Sequence, residues 1–221
     1  MVKIFTLPKD ENAPEANEDA VVSELSRLAL ADGASSDAFS GLWAQQLCTQ
    51  FVQTGGLNPE SAALGWRSAI GAKPLPWFLA DKLRQPTHAS FLGLEWGEQL
   101  TAQAIGDSCV FVIRDSALAL AFPYARAEDF ASHPALVPTQ GVVPTLQRTT
   151  LALEPGDTIL AATDALAAWL LAESAQEPWN SLLALQNPGD FARFVQALRS
   201  ARRLALDDTT LAIVAPDTKE S

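Results

Sequence analysis

Cysteine and histidine are almost missing from this 221-residue chain, which has two of each. Cys48 and Cys109 lie in separate apolar stretches without a paired spacing, which excludes a disulfide framework or a thiolate zinc site and fits a reducing cytoplasm. His88 and His133 sit in polar, proline-containing contexts, so chemistry resting on histidine is not expected. Basic residues are also few. With 15 lysines and arginines against 26 acids the formal charge is −11, and repulsion between like charges argues against nucleic acid as a partner. Long apolar runs are missing too: none reaches the roughly 20 residues a membrane span needs. The opening "MVKIFTLPKDEN" is broken by Lys3 and stopped by Pro8 before a signal-type core can form. A cytoplasmic protein without a membrane partner is expected. Neither an internal repeat nor a low-complexity segment is present.

What is there suits a sizeable core. At 48% hydrophobic, residues 1–221 are expected to form one domain. Strand-like "VKIFTL" leads into a polar loop, "PKDENAPEAN", followed by two short strands, "DAVVSE" and "SRLALAD". From Ser36 the period becomes helical through Phe39, Leu42, Trp43, Leu47 and Phe51, with Ser35 or Ser36 as cap and Gly55-Gly56 as stop. A second helix starts at the Asn58-Pro59-x-Ser61 cap, and a short third is expected near "PWFLADKL", 76–83. Four closely spaced strands over 89–122 read as an antiparallel meander. Residues 123–148 read as a long irregular loop and a candidate lid. A hairpin around Pro155-Gly156-Asp157, three helical segments and the strand "TTLAIVAP" complete the chain. Hairpin connections favour a layered fold with antiparallel sheets and outer helices over a doubly wound parallel sheet.

Acids adjoin the ends of the expected strands. Glu18 and Asp19 precede "AVVS", Asp32 follows "LALA", Asp164 follows "ILAAT", and Asp207 and Asp208 precede "TTLAIV". If these strands are neighbours, antiparallel pairing brings all four groups to one rim. Carboxylates packed within a few ångströms cannot all stay ionised without cations. Oxygen ligands with no histidine or thiolate suit Mg²⁺ or Mn²⁺ rather than zinc. Gly33, lacking a Cβ, would let backbone approach a bound ion. Taken singly, the same residues also read as ordinary caps and turns: Asp164 as a helix cap, Asp32-Gly33 as a plain turn.

In this order the motifs resemble the metal-dependent protein phosphatases of type 2C, the PPM family. "NEDAVV" (17–22), "LALADGAS" (28–35), "AIGDSCVFVIRD" (104–115), "LEPGDTILAATDALAAWL" (153–170) and "LDDTTLAIV" (206–214) are similar to its successive motifs, from about Asn17 to Val214. The resemblance implies an α+β fold, a four-layer α-β-β-α sandwich with two central, mainly antiparallel sheets flanked by helices. It also implies two Mg²⁺ or Mn²⁺ ions per chain. Asp32 would bridge both ions, with the Gly33 carbonyl on one of them. Asp164 and Asp207 would hold the other, and Glu18 and Asp19 would complete the shell. Asp107 corresponds to a third, weaker metal position. The implied activity is hydrolysis of phosphoserine or phosphothreonine in a phosphoprotein substrate of a serine/threonine kinase. It would proceed by in-line attack on phosphorus of hydroxide generated between the two ions, with Asp32 and Asp164 as catalytic residues through the ions they hold.

The peripheral positions depart from the family pattern. An arginine that grips phosphate is replaced by Pro14, leaving Lys9 or the 123–148 loop as substitutes. Ala34 stands where some members have histidine. Ala165 replaces a glycine, and Ala168 replaces the acid that would accompany Asp107. Asp208 stands where asparagine is common. These departures motivate an alternative: a pseudophosphatase acting as a regulatory binding module of the same fold. An acidic adaptor without metals is a third reading. Of the six tryptophans, most are expected in the core, with Trp77 the exception. "LRSARR" reads as the basic end of a helix with a possible supporting salt bridge to Asp207.

Overall fold

Strands with one face apolar must bury it, and strands apolar on both faces need cover on both sides. The chain "RLALAD" is of the second kind. In the computed structural model, which describes residues 1–71, 82–130 and 133–216, Leu28 and Leu30 of this strand point into a core between two sheets, whereas Ala29 and Ala31 face a helix layer.

The first sheet has the order β1 (Val2–Leu7), β12 (Thr209–Val214), β11 (Thr158–Ala162), β7 (Cys109–Arg114) and β8 (Ala117–Phe122). The second runs β10 (Gln147–Ala152), β6 (Gln99–Ile105), β5 (Phe91–Trp96), β3 (Arg27–Asp32) and β2 (Asp19–Glu24). Each pairing within them is antiparallel. Between the sheets, Leu28, Leu30, Leu92, Leu94 and Leu100 meet Val110, Val112, Ile159 and Val214. Full burial of each such side chain stabilises by about 1.5–3 kcal/mol relative to exposure.

The outer faces carry the helices. α1 (Ser40–Thr54) and α2 (Pro59–Gly71) cover the second sheet through Trp43, Leu47, Phe51 and Trp66. α3 (Asp164–Ala172), α4 (Trp179–Leu183) and α5 (Pro188–Ser200) cover the first through Leu166, Trp169, Trp179, Phe191 and Val195. The layer order is α-β-β-α, as expected. Trp43, Trp66, Trp169 and Trp179 are buried, whereas Trp77 lies outside the described residues, as does most of the short helix expected over 76–83. Among the described residues no helix is long and apolar enough to cross a membrane.

Four local expectations are corrected. The strands over 89–122 are not one meander: β5 and β6 pair in the second sheet and β7 and β8 in the first, so the chain changes sheet between β6 and β7. The turn at Pro155-Gly156-Asp157 is not a hairpin: β10 pairs with β6 in one sheet and β11 with β7 and β12 in the other, so the turn crosses between sheets. Turn chemistry is the same for both connections, and only the packing chooses. Asp157 fixes this turn, accepting from Arg114 Nε (2.8 Å), Arg114 Nη2 (2.7 Å) and the Glu154 amide (2.8 Å). Helix α1 begins at Ser40, not Ser36, after Phe39 in a left-handed conformation (φ 58°) and without a side-chain cap. Ser35 instead donates to Glu18, and Ser36 to Asp37. Within the irregular 123–148 segment, β9 (Val137–Pro138) pairs with β4 (His88–Ala89), and Trp43 Nε1 donates to the buried Val137 carbonyl at 2.9 Å.

Candidate metal centre

The β2–β3 register places Asp19 directly opposite Asp32. Like charges so placed are destabilising, and nothing in the pairing itself compensates. Ser90 pins Asp32 through the backbone: its N–H donates to the Asp32 carbonyl (2.8 Å), and its Oγ accepts from the Asp32 amide (3.0 Å) and bonds Ser108 Oγ (2.8 Å).

The other sheet reaches the same rim through Thr163. Its hydroxyl donates to Asp19 Oδ2 (3.1 Å) while accepting from the Thr210 amide (2.9 Å), so β11 and β12 are tied to β2. Asp164 follows at the start of α3, and Asp107 lies in the turn that carries the chain from β6 to β7. The strand-end acids expected to meet do share one rim.

Their electrostatics follow from this crowding. Burial, with the charges of Asp19, Asp164, Asp207 and Asp107, pushes Asp32 up to about 10. Burial and the charges of Asp208 and Asp164 raise Asp19 to about 8, against hydrogen bonds from Thr210 and Thr163 that favour its ionised form. Burial and Asp164 raise Asp107 to about 7, and burial with Asp207 raises Asp164. The charges that contribute most to this shift are all carboxylates.

Glu18 lies at the same edge in a different environment. Its Oε1 accepts from Ser40 Oγ (2.5 Å), and its Oε2 from Ser35 Oγ (2.5 Å) and Lys9 Nζ (2.9 Å). Burial alone would raise its pKa, but these three partners lower it. Asp208 is buried and structural: Oδ1 accepts from the Lys9 amide (2.7 Å) and Oδ2 from the Glu18 amide (2.9 Å), tying the 8–18 loop to the start of β12. Arg199 supports Asp207 through its backbone carbonyl and Thr209 Oγ1 rather than through the carboxylate anticipated for it.

Packing also requires a glycine at position 33. A Cβ there would lie 2.5 Å from the Ser40 carbonyl carbon and 2.8 Å from the Gly41 nitrogen, so the missing side chain lets α1 start directly against the Asp32 turn. Pro14 sits exposed in a 3-10 turn (Pro14–Ala16) and offers no polar side chain. Ala168 lines a cavity of about 320 Å³ beside Asp107, Asp164, Trp169 and Arg203, so loss of that acid leaves space next to Asp107. Lys9, Ser90 and Thr163 have positioning roles that no motif announces. Lys9 could be noticed, since Lys3 and Lys9 are the only basic side chains before Arg27.

Among the described residues, no three acid, histidine or cysteine side chains converge as a finished cage for an ion. The donor set nevertheless suits a hard divalent cation: it is all oxygen, mutually repelling, and holds Asp19 Oδ1 buried without a hydrogen-bond partner.

This sandwich recurs in solved structures. The Mycobacterium tuberculosis serine/threonine phosphatase PstP/Ppp is 20% identical with a TM-score of 0.64, covering 96% of this chain and 97% of that one. The photosystem II phosphatase PBCP is 14% identical with a TM-score of 0.67, covering 99% of both chains. The chain has the fold of the type 2C serine/threonine phosphatases. The Staphylococcus aureus serine/threonine phosphatase Stp1 is 14% identical with a TM-score of 0.63, covering 98% of this chain and 94% of that one. The PstP catalytic domain has also been solved in complex with two manganese ions, at 18% identity and a TM-score of 0.64 over 96% of each chain. No protein-family model matches the sequence, and no curated protein does.

Proposed function

We propose that this chain is a divalent-metal-dependent phosphatase of protein phosphoserine and phosphothreonine, forming one catalytic domain that works in the cytoplasm on substrates of a serine/threonine kinase. The observation that carries the reading is the run of carboxylates at the rim, with Asp19 and Asp32 face to face and Asp19 Oδ1 lacking a partner. Such a rim repels a phosphate ester, and more so on a chain of charge −11, unless cations reverse the local field. Asp19, Asp32 and Asp164 are the residues that would hold Mg²⁺ or Mn²⁺, with Asp207 and Glu18 completing a place for a second ion and Asp107 beside them. Bound there, the metal supplies Lewis acidity and a low-pKa water.

The chain's own residues do the rest. Ser90 and Ser108 hold the Asp32 backbone at the centre, Thr163 orients Asp19, and Arg199 fixes the Asp207 turn. Strand ends set Asp19 and Asp32, a helix start sets Asp164, and hydrogen-bonded turns hold the rest, which favours preorganised binding of charge.

The test is turnover of a chromogenic aryl phosphate and of phosphoserine and phosphothreonine peptides with Mn²⁺, with and without chelator, beside Asp32→Asn and Asp164→Asn. Manganese-dependent hydrolysis lost in both variants is expected. A second reading, a pseudophosphatase that binds metal or phosphopeptide to control a partner, is favoured by Pro14, which offers no phosphate grip, and by Ala168, which leaves Asp107 without an accompanying acid. Metal binding by calorimetry without turnover on any phosphopeptide would establish that reading and sink the enzyme; absence of any divalent binding would sink both.

A further inference from the structure

We infer that Lys9 is an internal cation standing in the carboxylate rim, so that divalent metal loads in two unequal steps: a first ion at Asp19, Asp32 and Asp164, and a second only in competition with the Lys9 ammonium. This rests on the metal-binding part of the reading above and divides that site in a way the resemblance does not.

Lys9 follows β1 by two residues, and its backbone is fixed because its amide donates to Asp208 Oδ1 at 2.7 Å. From there Nζ reaches three separate pieces of the rim. It donates to Glu18 Oε2 at 2.9 Å, at the entry to β2, and to Ser35 Oγ at 2.7 Å, on the turn after Asp32. It also lies 3.7 Å from Asp207 Oδ1 and 3.6 Å from Asp208 Oδ2, before β12. One ammonium therefore faces Glu18, Asp207 and Asp208, and Ser35 relays it by accepting from Nζ while donating to the same Glu18 oxygen.

Among the described residues, Asp19, Asp32, Asp107 and Asp164 have no cationic side chain in contact: Thr163 donates to Asp19, the Ala165 amide donates to Asp164, and one oxygen of Asp19 has no partner. The rim is thus split. The uncompensated half takes a divalent ion with relief of repulsion. The other half, which shares Asp207, already holds a cation, and an ion entering it must displace or repel a positive charge held within 4 Å of three acids.

The experiment is a Mn²⁺ titration of the full chain by calorimetry and by electron paramagnetic resonance of free Mn²⁺, comparing wild type with Lys9→Met, Lys9→Arg and Asp32→Asn. Wild type should show a tight step and a weaker one. Lys9→Met should tighten the second step at least tenfold and leave the first within about threefold, Lys9→Arg should keep it weak, and Asp32→Asn should abolish the first. In case Lys9→Met does not fold, the wild type carries its own test: with lysine ε-carbons ¹³C-labelled, the Lys9 signal should shift during the second step of a Mg²⁺ titration and not during the first. Two ions bound with a single affinity, a second step unchanged or weakened in Lys9→Met, or a Lys9 signal that stays still through both steps would overturn the inference while leaving the metal site intact. No divalent binding at all would overturn both.

Discussion

Replacing Asp32 by asparagine should make the metal-free protein more stable at pH 7, although the residue lies at the centre of the proposed site. In the folded chain Asp32 is desolvated and faces Asp19, Asp164, Asp207 and Asp107, which lifts its carboxyl from 3.8 to about 10. A raised folded pKa means that the folded state keeps a proton which the unfolded state releases. The contribution of this group is therefore complete below about pH 4 and is lost as pH rises toward 10. Between 3.8 and 7 lie about 3 pH units, which at ~1.4 kcal/mol per unit sets an upper bound of about 4 kcal/mol. Asp19 and Asp107, raised to about 8 and about 7, share the same repulsion, so a realistic gain is roughly half, about 2 kcal/mol. Asparagine resembles the protonated carboxyl in shape and is neutral at every pH. The assay is urea denaturation in EDTA at pH 5, 7 and 8. Wild type should lose stability from pH 5 to pH 8, and Asp32→Asn should be more stable at pH 7 with a shallower slope. Glu18 and Asp157, whose pKa values are lowered, are ionised across this window and add little slope. Adding Mn²⁺ should reverse the order, because only wild type gains the binding free energy of the tight step. An Asp32→Asn protein less stable than wild type by about 1 kcal/mol in EDTA, or a wild type that stabilises as pH rises, would refute the reasoning.

Other substitutions test the scaffold. Gly33→Ala should cost about 3 kcal/mol, the upper range for overpacking, because its Cβ meets α1 backbone that cannot yield locally; an unchanged melting temperature would contradict this. Asp157→Ala should cost about 2–3 kcal/mol by removing the bidentate Arg114 pair and the Glu154 amide bond, whereas Glu154→Ala, at an exposed carboxylate, should change stability by about 0.5 kcal/mol or less; denaturation curves of the two separate the roles. Trp43→Phe keeps most of the apolar contact but leaves the Val137 carbonyl buried without its donor, costing about 1–3 kcal/mol and speeding amide exchange around 137–139; unchanged exchange there would show that Trp43 does not anchor the segment.

Legibility in the sequence followed the range of the physics. The strands and their carboxylate ends were legible because alternation and turn residues act over a few positions: "VKIFTL", "DAVVSE" and "CVFVIRD" form strands where their patterns place them. The helix stop at Gly55, left-handed at φ 77°, was equally local. The start of α1 was not, since Ser35 has a stronger partner in Glu18, 17 residues earlier, than the helix terminus could offer it. The crossing at Pro155-Gly156-Asp157 was misread for the same reason, because one turn serves a hairpin and a change of sheet alike.

By itself the sequence determined that carboxylates end several strands, that histidine and thiolate are not available to them, and that sheets and helices must layer to bury 48% apolar residues. Only the tertiary structure decided which of those carboxylates confront one another and which are answered. Register sets Asp19 against Asp32 without a counter-ion, while Lys9, nine residues before Glu18 and 198 before Asp207, arrives beside both. Charges interact through space and not along the chain, so the balance between an empty-handed rim and a neutralised one exists only once the strands have been brought together.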